Sequence, residues 1–219
     1  MMKIINYYFN TSFRRKSLDK LLKKNVHLFR GTVLDIGGRD RGNFKKPKIS
    51  VQKWIFLDIQ EKNHPDLVQD VANMHDVKSK TVDVVCAIEL FEHVRSPEAG
   101  LNEIYRILKK NGTLILSCPF LFPIHGDPDD WQRWTESKWM LTLNNLKFEK
   151  IYLQTTGLFF TTLNDMLLTL LNDLPIPFNK LKYLFLPLLS FFTVLDRYSF
   201  TATKRLKNFH NGYFIIATK

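Results

Sequence analysis

The chain has 219 residues, 45% of them apolar and 24% charged, which is enough for one α/β domain with a substantial core. Its formal net charge of +11 points either to an anionic partner (nucleic acid, an acidic membrane surface, a phosphorylated substrate) or to a solvated basic surface. The mixed first nine residues, followed by Arg14, Arg15 and Lys16, do not read as a signal peptide, and no apolar stretch is expected to reach the about 18 residues of a spanning helix.

Residues 11–29 read as one amphipathic helix with Leu18, Leu21, Leu22 and Val26 on a single face. Thr32-Val33-Leu34-Asp35-Ile36-Gly37-Gly38 reads as a buried parallel strand that ends in an acid and a glycine turn, where backbone can approach a ligand closely. Trp54–Asp58 is a second strand, also ending in an acid, Leu67-Val68 a third followed by Asp70, and residues 82–88 a fourth. Ser96-Pro97 opens a helix with Leu101, Ile104, Tyr105 and Leu108 on its apolar face, and Lys109-Lys110-Asn111-Gly112 is expected to close it. Residues 113–118 form a fifth strand, Thr135 caps a helix to about Leu143, and residues 148–154 and 213–218 are the sixth and seventh strands. Cys86 and Cys118 lie in apolar runs and read as reduced core residues of a cytosolic protein. Strands alternating with helices predict an α/β fold with a doubly wound, mostly parallel, seven-stranded Rossmann-like sheet and a helical insertion between strands 6 and 7. The expected divisions are an N-terminal helical segment (1–30), a ligand-binding core (31–156), the insertion (157–210) and a last strand (211–219).

The set Val33-Leu34-Asp35-Ile36-Gly37, Asp58, Asp70, the run 82–94 and Tyr105-Arg106-Ile107-Leu108-Lys109 before Gly112 resembles class I S-adenosylmethionine-dependent methyltransferases over roughly residues 32–150. The resemblance implies S-adenosyl-L-methionine as cofactor. It implies that Gly37, helped by Gly38, lets the methionine part pass and that Asp35 orients its amino end. Asp58 would hold the ribose hydroxyls, Asp70 would meet the adenine amino group, and Glu89 would complete the cofactor set. Arg39 and Arg41 stand where the family usually has two further glycines.

The segment 119–135 follows the fifth strand and combines His125 with three Asp, Arg133 and large aromatics, a poor core and a suitable substrate lid. His125 is the candidate general base, with Asp127 to orient it. The segment also resembles a subgroup that modifies surface polysaccharides or lipid-linked glycans; the alternative is a rigid Pro-rich turn. Glu89, Glu92 and His93 would share a face if helical, a set suited to a hard cation with His125, as in metal-dependent 2′-O-methyltransferases of small RNAs; His93 as a packing residue, with no metal, is preferred. In the insertion, Leu163, Met166, Leu167, Leu170, Leu171 and Leu174 form an apolar stripe. A 13-residue apolar run, 183–195, is expected to be broken at Pro187. This insertion could lie in a membrane interface, form a second core layer, or make a homodimer face.

The resulting expectation is an O-methyltransferase acting on a hydroxyl of a small-molecule, sugar or lipid-linked glycan acceptor. It would be cytoplasmic, with a peripheral contact on the inner membrane face. An RNA 2′-O-methyltransferase is the alternative enzyme, disfavoured because no separate RNA-binding module is visible, and an inactive cofactor-binding scaffold is the other alternative.

Overall fold

Strands buried on both faces of a sheet are rich in apolar residues, and two segments of this chain have that character. In the computed structural model, which describes residues 2–38, 44–126, 128–197 and 205–219, these are β1 (Gly31–Ile36) and β4 (Val82–Ile88). They run parallel side by side, Val33 opposite Val84 and Ile36 opposite Ala87. β2 (Val51–Asp58), β3 (Leu67–Val68), β5 (Leu108–Pro119), β6 (Glu149–Thr156) and β7 (Gly212–Thr218) complete one seven-stranded sheet in the order β3-β2-β1-β4-β5-β7-β6. The β1–β2, β1–β4, β2–β3 and β4–β5 ladders are all parallel. Strand order reverses between β1 and β4, so the connections leaving their carboxyl ends diverge and open a crevice there. One core runs along the sheet and takes in Leu34, Val85, Leu116, Ile215 and the helical residues Leu101, Ile104 and Trp139. Cys118 is a buried thiol within it, and Cys86 is a buried thiol of β4, as expected.

Helix α3 (Pro97–Ile107) follows Ser96, whose side chain makes no capping bond. It ends two residues before the expected Lys-Lys-Asn-Gly stop. Leu108 pairs with Val82, so Lys109–Gly112 belong to a longer β5 instead. Helix α4 (Glu136–Asn145) is capped by Thr135, as expected: its Oγ1 accepts the Lys138 N–H at 3.4 Å.

Two compact units compose the chain. One contains Leu21–Gln154 with Tyr213–Lys219, the other Met1–Lys20 with Thr155–Gly212. The helix expected over 11–29 is shorter, α2 (Phe13–Lys24), followed by a short turn at Val26–Leu28, and a further helix, α1 (Met2–Asn10), precedes it. The start of α2 comes from a cap: Ser12 Oγ accepts the Arg15 N–H at 3.1 Å. The Asp165 carboxylate, carried by α5 (Phe159–Asp173), accepts the Phe13 and Arg14 N–H groups at 2.6 and 2.9 Å. Helix α6 (Leu181–Phe192) runs through Pro187 rather than breaking there. With its flanking turns it gives a 20-residue helical stretch, Phe178–Arg197, long and apolar enough by composition to cross a membrane, contrary to the sequence expectation. Phe13, Leu168, Leu186 and Leu189 form the core of this unit, with Tyr8, Phe9 and Leu171 packed on it.

Candidate functional site

A cavity of about 770 Å³ opens where β1, β2 and β4 end, lined among others by Gly37, Asp58, Asp70, Glu89, His93 and Arg95. Its size suits a nucleotide-sized ligand. Gly37 turns the chain out of β1 at φ 66°, and a Cβ there would sit 3.0 Å from Leu90 Cδ1. Left-handed backbone and close approach both call for glycine.

Asp58, at the end of β2, is 7% exposed and accepts the Gln60 N–H at 2.8 Å, which fixes the carboxylate at the cavity wall. Asp70 accepts the Ala72 N–H at 2.9 Å, a turn that holds its carboxylate at the rim. Glu89 sits in left-handed backbone at φ 53° directly after β4, and its Oε1 accepts the Ser117 hydroxyl at 2.6 Å. These three acids present acceptors and negative charge to one space, a lining suited to a ligand rich in N–H and O–H donors and carrying positive charge.

Asp35 and Gly38 are placed differently. Asp35 is fully buried, accepts the Trp54 indole N–H at 3.1 Å, and does not line the cavity. A Cβ on Gly38 would lie 2.3 Å from the Asp35 carboxylate, so this acid and glycine are matched to each other beneath the turn. Arg39 and Arg41 lie outside the described residues.

After β5 the chain returns across the mouth of the site. Its hold on the turn after β4 is one backbone bond, Trp131 N–H to the Glu92 carbonyl at 2.8 Å, and two from a side-chain amide, Gln132 Nε2 to the Phe91 and Val94 carbonyls at 3.0 and 2.7 Å. The Arg95 guanidinium lies 5.6 Å from the Trp131 ring centre. The His125 N–H donates to Asp130 Oδ2 at 3.0 Å, and Asp130 is gripped by both terminal nitrogens of Arg133. Those hydrogen bonds from Arg133 hold the Asp130 carboxyl down at about 2, outweighing the opposing effect of burial. Asp127, expected to orient His125, lies outside the described residues. Asp130 does touch the histidine, and its i, i+3 spacing to Arg133 was the available signal.

The His93 and His125 rings meet edge to face with centroids 5.0 Å apart. His93 Nδ1 lies 2.6 Å from the Asp129 carbonyl and His125 Nδ1 3.1 Å from the Pro123 carbonyl. A carbonyl only accepts, so each ring turns an N–H at Nδ1 toward it. Glu92, fully buried in the short turn Phe91–His93, places Oε1 3.7 Å from His93 Nε2. The donor atoms of Glu92, His93 and His125 lie within 4.8 Å of one another, close enough to gather round a cation. Glu89 is not part of this group. The expected helical turn is absent at that point, and the Glu89 side chain is bonded to Ser117 instead.

A family profile described as "Methyltransferase domain" matches residues 10–157. No curated protein sequence matches the chain. Among solved structures, the chain is similar to a SAM-dependent methyltransferase from Archaeoglobus fulgidus, with a TM-score of 0.59 at 18% identity over 99% of this chain and 98% of that one. It is also similar to the cyclase SpnF (TM-score 0.58, 14% identity, 92% and 79% covered). A third is phosphoethanolamine N-methyltransferase 2 of Haemonchus contortus in complex with S-adenosyl-L-methionine (0.56, 15%, 98% and 55%). At such identities the solved structures carry the fold, while the profile spans most of the chain and carries the family. The chain belongs to the methyltransferase-domain family, as a class I enzyme that uses S-adenosylmethionine.

Proposed function

We propose that the enzyme methylates a hydroxyl of a sugar or lipid-linked precursor, with His125 as general base. The observation that carries this reading is the posture of His125. Its backbone is held by the Asp130–Arg133 pair and its Nδ1 faces a carbonyl, which leaves Nε2 as the atom that would take the proton, beside the His93 that lines the cavity. S-adenosylmethionine supplies an electrophilic methyl group on a cationic sulfur. Asp58 would take the ribose hydroxyls, Asp70 the adenine amino group, and Glu89 with the Gly37 backbone the amino-acid end. Asp35 supports the same turn from below through Trp54 and Gly38. Positioning of the acceptor oxygen is then the main task left to the protein.

His125→Ala is expected to lower methyl transfer by about 10²–10⁴-fold with cofactor affinity retained, measured by turnover with labelled cofactor and by calorimetry. Asp58→Ala is expected to weaken cofactor binding by about 1.5–3 kcal/mol, the loss of charge-assisted bonds to one acid. Full activity of His125→Ala would remove the assignment. The grouping of Glu92, His93 and His125 supports a second reading, in which His125 is a ligand to a divalent cation that acidifies the acceptor hydroxyl. Chelator that abolishes turnover, restored by Mg²⁺ or Mn²⁺, selects that reading; full activity in chelator selects the base.

A further inference from the structure

In the helical unit the usual relation of helix to core is reversed. The buried side of α5 is polar: Thr161, Thr162, Asn164 and Asp165 are inside with Leu168, Asn164 at 2% and Asp165 at 6% exposure. Its apolar stripe faces out, with Leu163 at 41%, Met166 at 51% and Leu170 at 59% exposure. Two of the inward polar groups are paired: Asn164 Nδ2 donates to the Leu189 carbonyl at 2.6 Å, and Asp165 accepts from two backbone N–H groups and from Asn211 at 2.7 Å. Helix α6 adds to the exposed surface. It buries Leu186 and Leu189 and leaves Leu184, Leu188 and Phe191 at 71%, 51% and 65% exposure. A contiguous chain segment with this many exposed large apolar side chains marks a contact surface.

Charge identifies what covers it. Met1–Lys20 and Thr155–Gly212 together hold eleven Lys and Arg, four Asp and no Glu. Three of the four acids are engaged inside the unit: Asp19 with Arg15, Asp165 as described, and Asp196 accepting the Phe160 and Thr161 N–H groups at the start of α5. Exposed Lys180 and Arg197 stand at the two ends of the apolar stretch, with Arg205 and Lys207 beyond. A second copy of the chain would bring the same positive sign to the contact, whereas anionic headgroups neutralise it. We propose that the helical unit docks the enzyme on an anionic lipid bilayer, the exposed apolar side chains of α5 and α6 entering the interface and the flanking cations meeting the headgroups. Because α6 buries Leu186 and Leu189 in protein, only part of its circumference is open, which fits a helix lying in the interface rather than spanning it. Docking there narrows the acceptor of the proposed reaction to a hydroxyl carried on a lipid, a step that rests on the reading of the site given above.

The test is flotation of the full-length protein with vesicles of equimolar phosphatidylglycerol and phosphatidylcholine, and with phosphatidylcholine alone, without methyl donor. Screening shortens the reach of charge from about 30 Å at 0.01 M salt to about 3 Å at 1 M, while apolar burial persists. The protein is expected to float with anionic vesicles at low salt and to retain part of that binding at high salt. Phe191→Asp with Phe192→Asp should lower the salt-resistant part by about a hundredfold, with unchanged melting and cofactor affinity. Should that variant fail to fold, the indole introduced by Phe191→Trp provides the second readout, its fluorescence quenched by brominated acyl chains. Absence of flotation at every salt, equal flotation with neutral vesicles, a dimer in solution dispersed by the double substitution, or an unquenched indole each overturns the proposal. Docking is read without catalysis, so its failure leaves the assignment of His125 standing, and full activity of His125→Ala leaves docking standing.

Discussion

Asp130, in the loop over the cavity, and Asp165, in the helical unit, are both carboxylates withdrawn from water, and their surroundings push them in opposite directions. A guanidinium holds Asp130 low. Asp165 is held by two backbone N–H groups and the Asn211 amide, and burial raises it despite those bonds and the nearby charge of Arg14. The contrast separates two uses of an acid. With a fixed cation beside it, a buried carboxylate can stay charged and anchor a functional loop. Where burial outweighs its donors and the nearby Arg14 charge, it can still tie a helix end into a fold.

The largest effect expected from breaking this contrast is at Arg133. Arg133→Met leaves Asp130 buried without its cation, which should cost about 3–5 kcal/mol of stability in urea unfolding. It should also lower turnover, because the His125 backbone loses its support. Unchanged turnover would mean that the pair does not position the loop. Asp165→Ala comes next. It strands the Phe13 and Arg14 N–H groups and should cost about 2–4 kcal/mol in thermal unfolding, with cofactor affinity retained. A loss of cofactor affinity would show that the two units are not independent in function.

The smallest effects, and the sharpest comparison, come from pH. Asp130 is lowered on folding, so its contribution is complete above the unfolded carboxylate value, about 3.9, and is lost as pH falls toward about 2. Asp165 is raised on folding, so its contribution is complete below that unfolded value and is lost as pH rises through the folded one. Subtracting the unfolding free energy of Asp130→Asn, and separately of Asp165→Asn, from that of the wild type should give two curves of opposite slope with pH. Parallel curves would refute the contrast.

The sheet was legible in the sequence because its central strands are rich in apolar residues, with Thr32, Asp35 and Asp83 as the polar exceptions, and residues 82–88 and Leu67-Val68 have the expected bounds. Extended pairings across the chain were not legible. Lys109–Gly112 carry the signature of a helix end, yet the Asn111 N–H donates to the Lys219 carbonyl and β5 begins at Leu108. The start of α2 at Phe13 depends partly on Asp165, which is remote in sequence. In the site, Gly37, Asp58, Asp70 and Glu89 fall together because each sits at or just past the carboxyl end of a strand, a position that composition and spacing reveal. Helical spacing misassigned Glu89 to Glu92 and His93, since spacing indicates a shared face only where a helix exists. The stripe on α5 was visible too. Periodicity shows that a face leaves water, but not whether protein covers it.

Between β6 and β7 the chain leaves and returns at one point. The Asn211 N–H donates to the Thr156 and Gly157 carbonyls at 2.9 and 3.0 Å, so more than fifty residues hang from a closed stem. Chain length between two joined ends adds little closure entropy, which grows only with its logarithm. Such a segment behaves as a cassette. It can be lengthened, replaced or reduced to a turn without shifting the register of the strands on either side. The first twenty residues complete its interior and would have to travel with it. The stem thus offers a way for one methyl-transfer scaffold to acquire a new cellular address by exchanging a hairpin of helices.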